Sequence, residues 1–125
     1  MKFREKNLES GTKVLAGKSA SNNEELIEQV EKEELVFHTA NPGSSFVNIK
    51  SKKPSKKDIE ETAVFCASKS QDWRDNKSDV VVHYFYGKDI YKEKKMKLGT
   101  FGVKKFKVIK VKKKEIENLI KKWQK

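Results

Sequence analysis

The chain has 125 residues, of which 35% are hydrophobic and 38% are charged, and its formal net charge at pH 7 is +11. This length fits one domain with a modest hydrophobic core, so we expect residues 1–125 to form a single domain. The apolar runs fall well short of the roughly 20 residues that a membrane-spanning helix needs, and the N-terminus has no signal-peptide core. One cysteine, Cys66, excludes an internal disulfide. These features predict a soluble protein of the reducing cytoplasm.

The positive charge is concentrated in the C-terminal third of the chain. Residues 1–87 contain 14 Lys or Arg and 14 Asp or Glu, whereas residues 88–125 contain 15 lysines and 4 acidic residues. If lysines were frequent only for solubility, the numbers of lysine and glutamate residues would both be high. In the last 38 residues only the number of lysines is high. The asymmetry indicates a polyanionic partner, which is either nucleic acid or an anionic membrane surface.

The first 19 residues predict a β-hairpin. Residues 2–8 and 13–16 have strand composition and flank the turn Ser10-Gly11. Gly17-Lys18-Ser19 resembles the end of a phosphate-binding P-loop, but Thr12 stands where that motif requires glycine. We therefore do not interpret this segment as a nucleoside triphosphatase site.

The next segment predicts an amphipathic helix over residues 22–32. Ser21-Asn22-Asn23-Glu24 matches a capping box, in which the serine oxygen accepts an amide hydrogen bond and the glutamate reaches back. Leu26, Ile27 and Val30 form an apolar stripe, and the glutamates form a solvated outer face. These glutamates do not have the spacing of calcium or zinc ligands.

Residues 35–49 predict two strands joined by a turn. Both flanks are rich in β-branched and aromatic residues, and Asn41-Pro42-Gly43-Ser44 between them fits a turn in which Gly43 has positive φ. His38 stands at the end of the first strand beside the turn, where its side chain is expected to face outward, and Ser44 stands in the turn. We expect His38 to be structural or to orient a bound ligand, because a general base needs a reacting partner.

The middle of the chain predicts a second helix and a central strand. The helix runs over residues 55–70 with Ser55 as its N-cap, and its narrow face of small residues lets it lie close to a sheet. Trp73 is expected to close the edge of that core. DVVVHYFY at residues 79–86 is apolar on both faces and predicts a central strand, in which His83 is expected to be a hydrogen-bonded core residue.

The lysine-rich remainder predicts a connector over residues 87–97, a turn, a strand and a helix. Gly99 and Gly102 have the Gly-x-x-Gly spacing of a KH domain, but neither flank is helical, so we expect a flexible turn. Residues 105–111 predict a strand whose lysines share one face. Residues 112–125 predict an amphipathic helix. Its inward positions are Ile116, Leu119, Ile120 and Trp123.

These elements predict an α+β fold. We expect a mixed or mainly antiparallel sheet of about five to six strands, two packed helices and a C-terminal amphipathic helix.

The order of these motifs resembles the NFACT-R domain family over nearly the whole chain. The matching features are Gly17-Lys18, Asn23-Glu24-Glu25-Leu26, Leu35-Val36-Phe37-His38, Pro42-Gly43-Ser44, an alanine-rich helix ending near Trp73, and Gly99-x-Phe-Gly102 before a basic strand. The resemblance implies an α+β RNA-binding module. In that family the module forms one part of the NFACT ribosome quality-control factors, which engage the large ribosomal subunit and tRNA.

We therefore predict a non-catalytic nucleic-acid-binding module whose partner is RNA, either tRNA or ribosomal RNA, or the ribosome itself, with no cofactor or metal. Arg4 and Arg74 are the only arginines. Since lysine suits phosphate contact and arginine suits the reading of base edges, we expect recognition of backbone and shape. The candidate contact residues are Lys18, His38, Ser44, Lys52, Lys53, Tyr91, Lys94, Lys95, Lys97, Gly99, Gly102, Lys104 and Lys105. Among them the two glycines would allow close backbone approach. Either Tyr91 or Phe101 would stack on an unpaired base, or both would pack in the core.

Three alternatives remain open from the sequence. In the first alternative, the same lysines bind DNA. In the second, the chain docks on an acidic protein or membrane surface through its terminal helix. The third alternative is an enzyme that acts on a phosphorylated substrate through His38 and Ser44, which would require a defined pocket and a perturbed histidine. The oligomeric state is not predicted.

Overall fold

The computed structural model describes residues 3–41 and 43–123, and over these ranges the chain folds into strands and helices of the expected α+β class. The strands are β1 (Arg4–Asn7), β2 (Lys13–Ala16), β3 (Leu35–Thr39), β4 (Val47–Ile49), β5 (Val80–Tyr86), β6 (Ile90–Tyr91), β7 (Gly102–Val103) and β8 (Lys107–Val111). The helices are α1 (Ala20–Glu28), α2 (Lys56–Ser68), α3 (Gln71–Asn76) and α4 (Lys113–Trp123), with a short 3-10 helix over Gly87–Asp89.

Six strands form one antiparallel sheet in the order β1-β2-β4-β3-β5-β8. The predicted N-terminal hairpin and the predicted strand pair around the turn at residues 41–44 are both confirmed by this pairing. β5 lies between β3 and β8, which confirms the prediction of a central strand. The register pairs His38 with His83 and pairs His83 with Val108, so these three residues form a row across the sheet.

α2 and α4 cover one face of the sheet and enclose the larger core. Ala63, Cys66 and Ala67 of α2 are buried, and their small size lets the helix lie close to Phe37 and Val82. Ser55 is the N-cap, as predicted, because its Oγ accepts the Asp58 amide at 3.1 Å. Trp73 is buried at the edge of the same core, also as predicted, but it lies in a separate helix, α3, that the sequence analysis missed.

α1 covers part of the opposite face. Leu26 is buried there, and Ile27 and Val30 are partly buried against the same cluster, which includes Val36 and Phe85. The apolar stripe of α1 is therefore confirmed as its inner face. This smaller core leaves the β5 and β8 side of the face less covered.

The predicted start and end of α1 are wrong. Ser19, not Ser21, is the N-cap, since its Oγ accepts the Asn22 amide at 3.2 Å. The Asn22 side chain is buried and accepts a hydrogen bond from the Lys18 amide at 2.9 Å. This bond fixes Asn22 inside the first turn of the helix, so the helix begins two residues earlier than predicted. The helix ends at Glu28 because the Gln29 side chain donates to the Leu26 carbonyl oxygen at 2.7 Å and so competes for the last turn.

The turn between β3 and β4 requires its glycine. Gly43 has φ of +91°, which confirms the predicted positive φ, and its carbonyl oxygen accepts the Gln71 amide at 2.9 Å. A side chain at Gly43 would also collide with the Gln71 side chain. Pro42 lies outside the described residues.

A buried polar cluster joins the start of β3, the end of β4 and the end of α1. Lys50 Nζ lies 2.8 Å from Glu34 Oε1, 2.9 Å from Gln29 Oε1 and 3.2 Å from Asn48 Oδ1. The Asn48 side-chain amide in turn donates to the Leu35 carbonyl oxygen at 3.1 Å. Every buried polar side chain in this cluster is thus hydrogen-bonded.

The C-terminal third differs from its prediction in two ways. Within the predicted connector and turn, β6 and β7 pair as a small second sheet. β8 does not keep its lysines on one face, because Lys107 shares a side with Ile109, and Lys110 shares the other side with Val108.

The predicted C-terminal amphipathic helix is confirmed. α4 begins at Lys113, Ile116 is buried, and Leu119 and Ile120 pack against the larger core. The Trp123 side chain and residues 124–125 lie outside the described part.

None of the helices in the described ranges combines the length and the apolar character that crossing a membrane requires.

Candidate nucleic-acid interface

Half of one sheet face carries exposed side chains beside the area that α1 covers. The register places Val81 and His83 of β5 opposite Lys110 and Val108 of β8 on this half, and Phe106 continues the same alternation. Phe106 is 50% exposed and Val108 is 59% exposed. We call the surface formed by Val81, His83, Phe106, Val108 and Lys110 the open face.

A cleft of about 500 Å³ lies where the open face meets the β3–β4 turn and the loop before β7. His38, Ser44 and Gly99, which the sequence analysis selected separately, all line this cleft. His83 and Phe106 line it from the side of the open face. The fold therefore brings three of the predicted site residues together although they are far apart in the sequence.

Rings follow one another along the wall of the cleft. The ring centroids of His83 and Phe106 are 4.2 Å apart with an interplanar angle of 24°, so these two rings are stacked. His38 lies 4.4 Å from Phe46, and Phe46 meets the edge of Phe101 at 5.4 Å. Offset and edge-to-face contacts of this kind stabilise aromatic side chains beyond their burial alone. The wall is therefore lined by rings that are held in place, with a near-parallel pair at His83 and Phe106.

His38 is a neutral, oriented side chain. Its Nδ1–H donates to the Thr39 carbonyl oxygen at 2.7 Å. Burial lowers the pKa of His38, the Thr39 hydrogen bond opposes that change, and the nearby His83 lowers the pKa further. Both histidines respond in the same direction, since burial also lowers the pKa of His83.

His83 is not the hydrogen-bonded core residue that the sequence analysis expected. It is partly exposed and stacks on Phe106 at the surface. The prediction failed because alternating apolar residues on both faces of β5 were interpreted as burial on both faces. The covering helix α1 reaches only part of the second face, so His83 stays accessible.

Ser44 closes the β3–β4 turn by hydrogen bonds to the backbone. Its Oγ accepts the Thr39 amide at 3.1 Å and donates to the Ser45 carbonyl oxygen at 3.3 Å. The hydroxyl proton is thus directed at Ser45 and not at His38. This geometry holds the turn and does not activate a nucleophile.

The loop before β7 is fastened to α1 by Lys92 and Gly99. Lys92 Nζ lies 2.6 Å from Glu24 Oε2, donates to the carbonyl oxygens of Lys97 and Thr100, and sits 4.6 Å from the centroid of Phe101. The Gly99 amide donates to the same Glu24 oxygen at 2.7 Å. Lys92 lowers the pKa of Glu24 chiefly through their hydrogen bond. The position of this wall of the cleft therefore depends on an ion pair.

The two glycines of the Gly-x-x-Gly segment pack closely against the protein itself. A side chain at Gly99, which has φ of +81°, would collide with Ala20 at the start of α1. A side chain at Gly102 would collide with the Tyr91 ring. Their need for glycine is thus explained by internal packing, and backbone contact of these glycines with RNA stays a prediction. Tyr91 is 40% exposed on the other side of its ring.

Five of the candidate lysines lie in the segments that precede β7 and β8. Lys94, Lys95, Lys97, Lys104 and Lys105 are all exposed. The ion pairs found among the described residues use other cations, including Lys92, Lys110 and Lys122. Lys18 is exposed on the turn before α1, against which Gly99 packs, so it lies on the same side of the molecule. This group forms a basic rim, which runs from the loop beside the cleft to Lys105 on the other side of β8.

Lys52 and Lys53 are not part of that rim. They follow the end of β4, whereas the cleft adjoins the start of β4 and the end of β3. Lys52 Nζ lies 3.5 Å from Glu31 Oε1, near the end of α1. The structure therefore separates these two candidates from the others by the length of a strand.

The sequence analysis did not select Phe106 or His83 as site residues, whereas Phe101 was considered there as a stacking residue. A signal for Phe106 was present, because the alternation Phe106, Val108, Lys110 predicts one side of β8 that is apolar next to a lysine. Whether that side is covered depends on the reach of α1, which no local pattern encodes. Within the described ranges no group of three or more His, Cys, Asp or Glu side chains is placed to hold a metal ion.

Comparison with known proteins gives a family match. A family model described as the NFACT protein RNA-binding domain matches residues 2–105. Among solved structures, the C-terminal part of the fibronectin/fibrinogen-binding protein from Streptococcus suis superposes with a TM-score of 0.81 at 26% identity. The match covers 94% of this chain and 49% of that one, so this chain spans about half the length of that structure. No curated protein matches.

Proposed function

We propose, because the chain belongs to the NFACT protein RNA-binding domain family, that it binds tRNA or ribosomal RNA without catalysing a reaction. In this proposal residues 1–125 act as one cytoplasmic binding module that associates with the ribosome. The lysine-rich C-terminal segments contact the phosphate backbone of the RNA, and shape more than sequence decides the affinity.

The observation that carries this proposal is the basic rim. Lys94, Lys95, Lys97, Lys104 and Lys105 project from neighbouring loops, and none of them takes part in an ion pair found in the described residues. An exposed ammonium group that is not engaged within the protein is available to replace a counterion on a phosphate. Release of such counterions supplies most of the sequence-independent affinity for nucleic acid.

The geometry of the cleft supports binding over catalysis. It does provide a defined pocket and a histidine whose pKa is lowered by burial, which were the two requirements of the enzyme alternative. Catalysis through Ser44 would also need an activated nucleophile, and the Ser44 hydroxyl is not activated by His38, because it donates to the Ser45 carbonyl oxygen. Cys66 does not supply a nucleophile either, since burial raises the pKa of its thiol to about 12.

The test is the salt dependence of RNA binding, measured by fluorescence anisotropy on the full chain with a labelled tRNA transcript. For about 5 to 8 phosphate contacts, the slope of log affinity against log salt should lie between roughly −4 and −7. A DNA strand with the same sequence as the transcript serves as the comparison. Equal affinity for that DNA would favour the DNA alternative, and affinity for the transcript that ignores salt would contradict the proposal.

A further inference from the structure

The open face presents an aromatic ring where a sheet surface would ordinarily be polar or covered. Phe106 is half exposed, and its neighbour on the same side, Val108, is more exposed still. Single exposed apolar side chains are common, but Phe106 is also fixed by its stack on His83, at 4.2 Å between centroids. A ring held in one orientation loses little conformational entropy when a second flat group stacks on it.

The space next to Phe106 has the size and the polarity of a base-binding cleft. The cleft of about 500 Å³ falls within the range of roughly 300 to 1,000 Å³ that is usual for small-ligand sites. Phe101, Phe46 and His38 continue its apolar wall, and Ser44 and Thr100 add polar groups at its margin. A flat heteroaromatic group fits such a wall better than a flexible aliphatic chain, because rings favour offset stacking.

Charge around the ring identifies the kind of ligand. Lys104 precedes Phe106 in the β7–β8 loop and is exposed, whereas Lys107 lies on the other side of β8, opposite Tyr84. Lys110 lies on the open face itself and is only loosely paired with Asp79, at 3.8 Å. A ring platform with a cation on the same face suits a ligand that has a flat base and an anionic backbone one nucleotide away. A covering protein segment with an apolar face would not need this cation.

We propose that the open face and the cleft bind an unpaired base of single-stranded RNA, which stacks on Phe106 next to His83, while Lys110 contacts an adjacent phosphate. The inference rests on the proposed function and adds a structural preference to it. In a base-paired helix the bases are stacked on each other, so a duplex offers the lysines its phosphates but offers Phe106 no free base face.

The experiment compares two RNA probes on the full chain. One is a labelled single-stranded oligonucleotide with a central 2-aminopurine, and the other is a blunt duplex of the same length. Phe106→Leu should weaken binding of the single strand about 5- to 150-fold, the range expected for loss of one stacked base, and should leave the duplex affinity nearly unchanged. In the unchanged protein the 2-aminopurine fluorescence should be quenched on binding, and Phe106→Leu should remove the quenching.

Two further variants control for folding and for general loss of an aromatic surface. Phe106→Tyr should retain most of the affinity, because its ring also stacks. Tyr86→Leu removes an aromatic side chain of similar exposure, 43%, on the opposite face of the same strand array, and should change neither probe. Circular dichroism should give the same melting temperature for Phe106→Leu as for the unchanged protein.

The inference is overturned if Phe106→Leu lowers the affinities for the two probes equally or lowers neither of them. Either result would leave the proposed function intact as long as the salt-dependent binding of both probes persists. Failure of the unchanged protein to bind either probe would reject the proposed function itself. The two proposals thus fail by different observations.

Discussion

Neighbouring groups give His38 properties that its position in the sequence did not indicate. At the end of a strand beside a turn, it was expected to face outward, whereas it is partly buried between Phe46 and His83 and bonded to the Thr39 carbonyl oxygen. Burial lowers its pKa from 6.5, and burial lowers that of His83 in the same direction. Burial therefore favours the neutral form of both rings, and the positive charge next to this wall comes from Lys92, 4.6 Å from the Phe101 centroid.

The first prediction is that the protein becomes less stable as the pH falls below about 6.5. In the unfolded chain the two imidazoles take up protons at this pH, whereas in the folded chain they do so only at lower pH. Unfolding is accompanied by proton uptake in this window, so acid favours the unfolded state. His38→Gln, which can still donate to the Thr39 carbonyl oxygen, should make the free energy of unfolding less dependent on pH between about 7 and 5.

Urea unfolding at a series of pH values and constant ionic strength measures this effect. Carboxylates act in a separate window, because Lys122 and Lys57 hold the pKa of Glu9 at about 2, and its contribution is lost only as the pH falls below 4.5. An identical pH dependence in His38→Gln and the unchanged protein would show that His38 is not the group that titrates.

Local sequence patterns predicted most of the strands and helices, whereas the start of α1 and the small second sheet depend on tertiary contacts. The capping pattern that begins at Ser55 correctly predicted the N-cap of α2. An equally good pattern begins at Ser21, but the N-cap of α1 is Ser19. The deciding contacts, the buried Asn22 side chain and the fit of Gly17 against Asn23, connect α1 to β2 and β4. The pairing of β6 with β7 was missed for the same reason, since each strand has only two residues and no periodicity to detect.

The same reasoning applies to the candidate site. The charge asymmetry and the segments around His38, Ser44 and Gly99 could be found from the sequence, and the structure places these three residues around one cleft. The stacked pair of His83 and Phe106 could not be found in that way. Its exposure depends on where α1 stops covering the sheet, which is a property of packing between elements and not of either strand.

The second prediction concerns the polar cluster that joins three elements. Lys50→Met should lower the free energy of unfolding by about 2 to 4 kcal/mol, because the Glu34 carboxylate, only 4% exposed, would remain buried without its cation. The loss should be somewhat smaller than for a fully buried pair, since the Lys50 side chain is 25% exposed. Urea unfolding followed by circular dichroism gives the value.

Two variants test the cause. Combining Lys50→Met with Glu34→Gln should restore part of the stability, because the buried charge is then absent. Lys52→Met breaks a pair with Glu31 in which both side chains are more than half exposed, and should change stability by about 0.5 kcal/mol or less. Similar losses from Lys50→Met and Lys52→Met would mean that burial of the pair is not what matters.

The uneven distribution of charge along the chain allows lysines of the basic rim to be compared with lysines of the electrically balanced residues 1–87. Changing Lys94, Lys95 and Lys97 together to alanine should reduce the salt slope of RNA binding by about two to three units. Stability should be little affected, since exposed substitutions usually change it by roughly 0.5 kcal/mol or less. The salt titration proposed for the unchanged protein provides the measurement.

The matched control removes the same number of exposed lysines from the electrically balanced part of the chain. Lys13, Lys32 and Lys56 lie on β2, after α1 and at the start of α2, and their replacement by alanine should leave the slope nearly unchanged. If both triple variants reduce the slope of log affinity against log salt by the same amount, the affinity comes from net charge and not from the basic rim.

The position of β8 at the margin of the sheet has a consequence for colloidal behaviour. β8 is the last strand of the six, so its outer backbone amides and carbonyl groups face away from the sheet and are able to pair with a strand of another molecule. Lys107 and Lys110 carry exposed like charges along this edge, and their repulsion opposes such pairing. Bound RNA would neutralise part of this repulsion, so solutions of the protein with sub-stoichiometric RNA should be the most prone to self-association and precipitation.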